Sequence, residues 1–251
     1  MYNAIYIHHR RKVVRWYCTI IAAQTFQRVL KCTYKPNTDT RMRKITIRNI
    51  HKEDITKIIA LQRRSFSDMA IYGMIWPSAF LENHLKVFPE GQLCVELEKG
   101  KIIASASSLI ISLKPQYRDH TWHEITGNGM FDNHDPNGDT LYGADISTHP
   151  KFQGQGIGTM LYMTRKKLVI KLNLKRMVVG GRLYNYYKQA DKMTPHEYAQ
   201  KVVDGELTDP VLSFQLKNGF RFIKILPDYL YDKRSLNYAT FLEWVNPKKY
   251  R

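Results

Sequence analysis

Glycines at positions 154, 156 and 158 stand between an apolar stretch, Leu141 to Thr148, and a run with helical periodicity that begins near Gly156. Their alternate spacing suits the binding of a phosphate-type anion. Glycine lets successive backbone N–H groups turn towards one point, and the first turn of the following helix adds unpaired donors and the positive end of its dipole. A pyrophosphate is the guest such a cradle expects. It is not a Walker loop, because no Gly-Lys-Ser/Thr ending follows Gly158. It is not a dinucleotide fingerprint either, because Lys171 to Arg176 is basic where an acidic residue is required. What remains is Gln153-x-x-Gly156-x-Gly158, preceded by a strand and His149-Pro150.

The elements that must position this cradle are read from periodicity. Ile45, Ile47 and Ile50 predict a strand, and Glu53-Asp54 opens a helix with Ile55, Ile58, Ile59, Leu61 and Phe66 at helical spacing. Trp76-Pro77 introduces a second helix. A hairpin comes next, Gln92 to Leu97 and Lys101 to Leu113 about a Lys99-Gly100 turn. Lys114 to Asp139 reads as a polar loop of unusual length, of the kind often used for function. After the strand Leu141 to Thr148 comes a helix, Gly156 to Leu172, with Ile157, Met160, Leu161, Thr164 and Leu168 on one face and Arg165, Lys166 and Lys167 largely on the other. A strand at Arg176 to Gly180, a capping box at Thr194-Pro195-His196-Glu197, a helix from Asp209-Pro210 to Asn218-Gly219, and strands Phe220 to Leu226 and Tyr238 to Trp244 complete a mixed α/β chain.

The chain has 251 residues, 43% of them hydrophobic, enough for a packed core, and a net charge of +17. Residues 1–41 carry eight Lys or Arg and one acid, Asp39. Arg10, Arg11, Lys12 and Arg15 precede an apolar run, Trp16 to Ala23, that loosely suggests a targeting peptide but is too short for a membrane span. Met42 is a natural beginning for the regular pattern that starts at Lys44, so residues 1–41 read as a dispensable extension and 42–251 as the working domain. Cys18, Cys32 and Cys94 form no Cys-x-x-Cys pair, and the nine histidines no His-x-x-x-His pair. That predicts a reducing, cytoplasmic setting and no bound metal.

Gln153-x-x-Gly156-x-Gly158, with the element order around it, resembles the coenzyme A signature of the GNAT superfamily of acyl-CoA-dependent N-acyltransferases. The resemblance runs from about Lys44 to Trp244. It implies a GNAT-like fold, a central mixed and mostly antiparallel sheet, splayed and flanked by helices. Gly180 to Asn185, Lys192-Met193-Thr194 and Phe214 to Phe220 resemble the branch often fused to a carbon-nitrogen hydrolase. With the sequence ending at Arg251, the chain reads either as a stand-alone form or as one whose hydrolase half is missing.

The resemblance further implies acetyl-CoA as co-substrate and direct attack by an amine, small-molecule or peptide, on the acetyl carbonyl. Ile146, Ser147 and Thr148 would pair with the pantetheine arm. Gln153, Gly154, Gln155, Gly156, Ile157, Gly158 and Thr159 would hold the pyrophosphate, and Asn185 sits where many members have an asparagine. Gln215 stands where many have a tyrosine that protonates the departing thiolate, which leaves water, Tyr186 or Tyr187 as alternatives. Asp145 is the first choice of base, with Asp139, Glu124, His123 and His149 behind it, and Tyr184, Tyr186 and Tyr187 could line the acceptor cleft. A monomer or homodimer without membrane attachment is expected. The competing readings are a non-catalytic acyl-CoA-binding module and a basic nucleic-acid-binding protein. The chain has no zinc-ligand spacing, RNP-like motif or helix-turn-helix pattern to favour the latter.

Overall fold

The computed structural model describes residues 3–9, 12–22, 28–34, 43–70, 75–113 and 117–249. They divide into two compact units, residues 1–107 with 145–165, and residues 108–144 with 166–251. The chain passes between the units three times, twice within a strand and once within a helix.

In the first unit, β1 (Asn3–His9), β2 (Lys12–Ala22), β3 (Arg28–Tyr34), β4 (Arg43–Asn49), β5 (Leu93–Leu97) and β6 (Lys101–Ile111) pair antiparallel in chain order. Residues 16–22 of the apolar run lie in strand β2, and β3 runs beside β4. Alternation decides which residues go inside. Ile45 and Ile47 of β4 face Leu97 and Val95 of β5, and Leu93 faces Ala106 of β6. Together with Ile103 and Ala104 they form a floor on which Phe152, Ile157, Met160 and Leu161 pack. The last three belong to α5 (Ile157–Lys171). Helix α1 (Ile55–Ser65) buries Ile55, Ile58 and Leu61, with Gln62 beside them. The short α2 (Ser67–Ala70) and then α3 (Ser78–Val87) come after it, α3 burying Leu81 and His84.

In the second unit, β7 (Thr140–Thr148) pairs parallel with β8 (Arg176–Arg182), β8 pairs antiparallel with β10 (Ala239–Val245), and β10 with β9 (Arg221–Leu226). Leu141, Tyr142, Met177, Val178, Phe241 and Leu242 are almost fully buried there. Helix α6 (Pro195–Val203) begins at the expected capping box. Thr194 accepts from the N–H of Glu197, whose carboxylate accepts from that of Thr194. Helix α7 (Leu212–Lys217) starts three residues after Asp209, which accepts from the N–H groups of Val211 and Leu212. The long polar segment is not all loop. Thr121 and Glu124 make a second capping box that starts a four-residue helix, α4 (Trp122–Ile125).

Candidate active site

The cradle lies in the first unit and is braced from several sides. The N–H of His149 bonds to Ile103 O at 2.9 Å, and its Nδ1 accepts from the N–H of Lys151 at 3.2 Å, capping a single turn at Pro150–Phe152. Phe152 is buried below, its ring edge-on to His149. Gln153 Nε2 reaches back to Thr148 O at 3.2 Å, and Gln155 Nε2 to Lys151 O at 3.1 Å. Gly154 and Gly156 have φ of 71° and 83°, a region in which side chains with a Cβ are strained. Ile157, 1% exposed, then anchors the first turn of α5, whose leading N–H groups have no partner within the helix. Residues of this kind fit a diphosphate. Beside it lies a cleft of about 390 Å³ lined by Lys57, Arg64, Lys101 and His149, and burial with the charges of Lys101, Arg64 and Lys151 pushes the imidazole pKa down.

Asp145 sits in the same unit, on the stretch of β7 leading to the cradle. Burial raises its carboxyl to about 6, against the opposing charge of Arg165 and hydrogen bonds from Ser147, the Ile146 N–H and Gln62. Ser147 Oγ is 3.1 Å from Oδ2. Arg165, which the sequence pattern puts on the outer side of α5, is instead 1% exposed. It shares the stripe of Leu161, Tyr162 and Val169, one turn away in each direction, so the buried face of α5 is wider than apolar residues alone suggest. Its Nη2 donates to Ser107 O at 2.6 Å and to Asp145 O, while Nε has no partner among the described residues. A charge is accepted there because two carbonyls and a carboxylate receive it.

The other expected positions belong to the second unit. The ladder between β7 and β8 runs from Thr140–Arg176 to Gly143–Val179 and goes no further, although β8 continues to Arg182. The strands fork there. Ala144 O, just past the last pair, accepts from Trp122 Nε1 at 3.2 Å. Gly180 and Gly181, just past it on β8, are each covered by a polar group. A Cβ on Gly180 would overlap the Tyr229 hydroxyl, and one on Gly181 the Gln215 amide. Gln215 is buried and its Oε1 has no partner among the described residues.

Asn185 is held through its backbone N–H by Asp209 at 2.9 Å. Tyr186 is buried, its hydroxyl donating to Met193 O at 3.1 Å, with its ring against Tyr198 and Tyr238. Tyr187 is exposed, and Tyr184 lies under the guanidinium of Arg234. Asp139 pairs with Lys175 at 3.0 Å, Glu124 caps α4, and His123 packs edge-on to Trp122. Sequence reasoning missed Tyr142, Tyr229 and His120. Tyr142 Oη lies 2.7 Å from Tyr229 Oη and 3.4 Å from His120 Nε2. The only signal towards them was the length of the segment that carries His120. No group of three or more His, Cys, Asp or Glu among the described residues is placed to hold a metal.

A mixed sheet with a forked parallel pair, and a glycine cradle at the start of the connecting helix, define the acyl-CoA N-acyltransferase class of fold. The chain belongs to the acetyltransferase (GNAT) family, whose model matches residues 55–190. It is 42% identical over 202 residues to "Uncharacterized N-acetyltransferase YkwB" of Bacillus subtilis (strain 168), covering 80% of this chain and 89% of that protein. It is 46% identical over 205 residues to "Probable hydrolase YhcX" of the same organism, covering 81% of this chain. The chain spans only 39% of that longer relative. Among solved structures, the loading GNATL domain of CurA from Lyngbya majuscula superposes with a TM-score of 0.67 at 20% identity, over 80% of this chain and 98% of that domain. The GphF GNAT-like decarboxylase in complex with isobutyryl-CoA gives 0.64 at 20% identity, over 80% of this chain and 98% of its own. Among the described residues no helix is long and apolar enough to cross a membrane.

Proposed function

We propose that this chain transfers an acetyl group from acetyl-CoA to a primary amine by direct attack of the amine on the thioester. The observation that carries the reading is the braced cradle, with Gly154 and Gly156 at positive φ feeding the anchored start of α5. Gln153 to Thr159 hold the pyrophosphate through backbone donors and the helix dipole. The backbone of Ile146, Ser147 and Thr148 pairs with the pantetheine arm, and Asn185 adds a polar contact to the coenzyme. Asp145 takes a proton from the attacking nitrogen, which a carboxyl raised to about 6 does better than an ordinary aspartate. The isobutyryl-CoA of the GphF complex supports the ligand, and the name of YkwB supports the reaction.

Calorimetric titration of the full chain with acetyl-CoA, coenzyme A and ATP tests the ligand. Micromolar binding of acetyl-CoA and little affinity for ATP is expected, with turnover in a primary-amine screen. Binding without turnover of any amine leaves an acyl-CoA-binding module. No binding by a folded sample, with steeply salt-dependent binding to RNA or DNA, would replace the acyltransferase reading by nucleic-acid binding.

A further inference from the structure

We propose that Gln62 is the positioning residue of Asp145, its side-chain amide reaching across from α1 to fix the direction in which the carboxylate points; this rests on Asp145 acting as the base in the acyl transfer above. Gln62 holds a place that the pattern of α1 would give to an apolar side chain. It follows Ile55 and Ile58 along the buried stripe of the helix and is itself 3% exposed. The alternation of β7 brings the carboxylate to meet it. Ile146 packs with Phe152, Ile157 and Met160 in the core under α5, so Asp145 and Ser147 point from the opposite face of the strand. Ser147 Oγ lies 3.1 Å from Asp145 Oδ2, and Gln62 bonds to the same carboxylate.

The donors to Asp145 are not equivalent. Ser147 and the Ile146 N–H belong to β7 itself, whereas Gln62 comes from another element and can hold the side chain against the body of the unit. Arg165 of α5 supplies the charge that acts on Asp145, but its guanidinium donates to the backbone carbonyls of Ser107 and Asp145. It therefore stabilises the anion without directing it. A carboxylate only accepts, so Gln62 must present Nε2 to it. That leaves Gln62 Oε1 buried and without a partner among the described residues, which disfavours the fold. An apolar side chain would avoid that cost. The amide is explained by what its nitrogen does for Asp145.

The reaction needs that direction. As the amine attacks, its N–C bond forms and the thioester C–S bond breaks with its electron pair left on sulfur. One N–H bond of the nitrogen breaks, and the proton forms an O–H bond on the Asp145 carboxylate. A carboxylate free to turn about its side-chain bonds would meet that proton less often.

The test uses the full chain, acetyl-CoA and the best alkylamine from a primary-amine screen, comparing wild type with Gln62→Met and Gln62→Glu. Gln62→Met removes the donor at similar volume. It should lose about tenfold in kcat with the KM for acetyl-CoA unchanged, and the acid limb of kcat/KM should move to higher pH. Gln62→Glu sets a second carboxyl against Asp145 and should move the limb further in the same direction. A role in packing alone would lower the melting temperature of both variants and leave the limb at its wild-type pH, overturning the proposal. Nitrogen-15 NMR of glutamine side chains in the wild-type chain tests the contact without turnover. The Gln62 Nε2 signal, assigned by its loss in Gln62→Met, should pass through one inflection near the Asp145 value of about 6 and stay flat in Asp145→Asn. A flat wild-type signal would overturn the proposal. Turnover with no acid limb would remove Asp145 as the base, and Gln62 with it, and leave acyl transfer standing. Acetyl-CoA binding without turnover of any amine would remove both.

Discussion

A carboxyl that takes a proton from an amine near neutral pH must be less acidic than an exposed aspartate, and the surroundings of Asp145 make it so. At about 6, its ionisation would give kcat/KM an acid limb, activity falling as pH drops through that value. Asp145→Asn should lose about 10² to 10⁴ in kcat and keep its affinity for acetyl-CoA, measured by rate assay and calorimetry. The same shift affects stability with a definite sign. The folded chain holds this proton more tightly than the unfolded chain, so the carboxyl favours the fold in acid and disfavours it once pH rises through about 6. Asp145→Asn should therefore melt above wild type at pH 7, the gain vanishing below the ordinary aspartate pKa. Arg165→Met removes the charge that opposes the shift and strands two carbonyls. The acid limb should move to higher pH and the melting temperature should fall. Asp145 was legible in sequence because it sits a few residues before the glycines. Arg165 and Gln62 were not, since no spacing within one element reveals which side chains from two helices meet on a strand.

At the scale of elements, the cradle is strand, capped turn and helix start in succession. Gly156→Glu should abolish acetyl-CoA binding by placing bulk and negative charge among the donors. The conformational strain of the change has a control in Gly205→Ala. Gly205 has φ of 82° and open space around it, so that variant should lose stability yet bind acetyl-CoA as wild type does. Calorimetry and thermal melts on the two variants separate the effects. Strand, turn and cap signals read well where one residue type has one physical job, as with the Thr194 to Glu197 box and the Lys99-Gly100 turn. They failed in two places. Helix α4 is a single turn and has no period to detect, and β2 was disguised by basic residues ahead of an apolar run that also suits a targeting peptide. The fork at Gly143 and Val179 has no local signal, since it is a property of two strands that a whole helix separates in sequence.

For the molecule as a whole, the surplus of positive charge and the N-terminal strands raise linked questions. Residues 1–41 supply eight of the 39 basic residues, while β3 pairs with β4 along Tyr34–Arg43 to Leu30–Ile47. We propose that the arm is dispensable for coenzyme binding, because the cradle's braces and the packing under α5 come from β4 onwards. The 42–251 fragment should bind acetyl-CoA as the full chain does. It should also self-associate more readily, its β4 edge being unpaired, which light scattering would detect. Turnover of an acidic acceptor should fall with added salt more steeply in the full chain than in the fragment.

The parallel pairing of β7 with β8 also bears on how the chain reaches its native state. The pairs β1–β2, β2–β3 and β5–β6 close short hairpins, whereas β4 meets β5 only after α1 to α3, and β7 meets β8 only after α5, has crossed between them. Contacts that close long loops come late and slowly in folding. The fork therefore assembles late, as the β4–β5 pairing does, and refolding tracked by the burial of Tyr142 should lag behind protection of the β5–β6 hairpin amides read by hydrogen exchange.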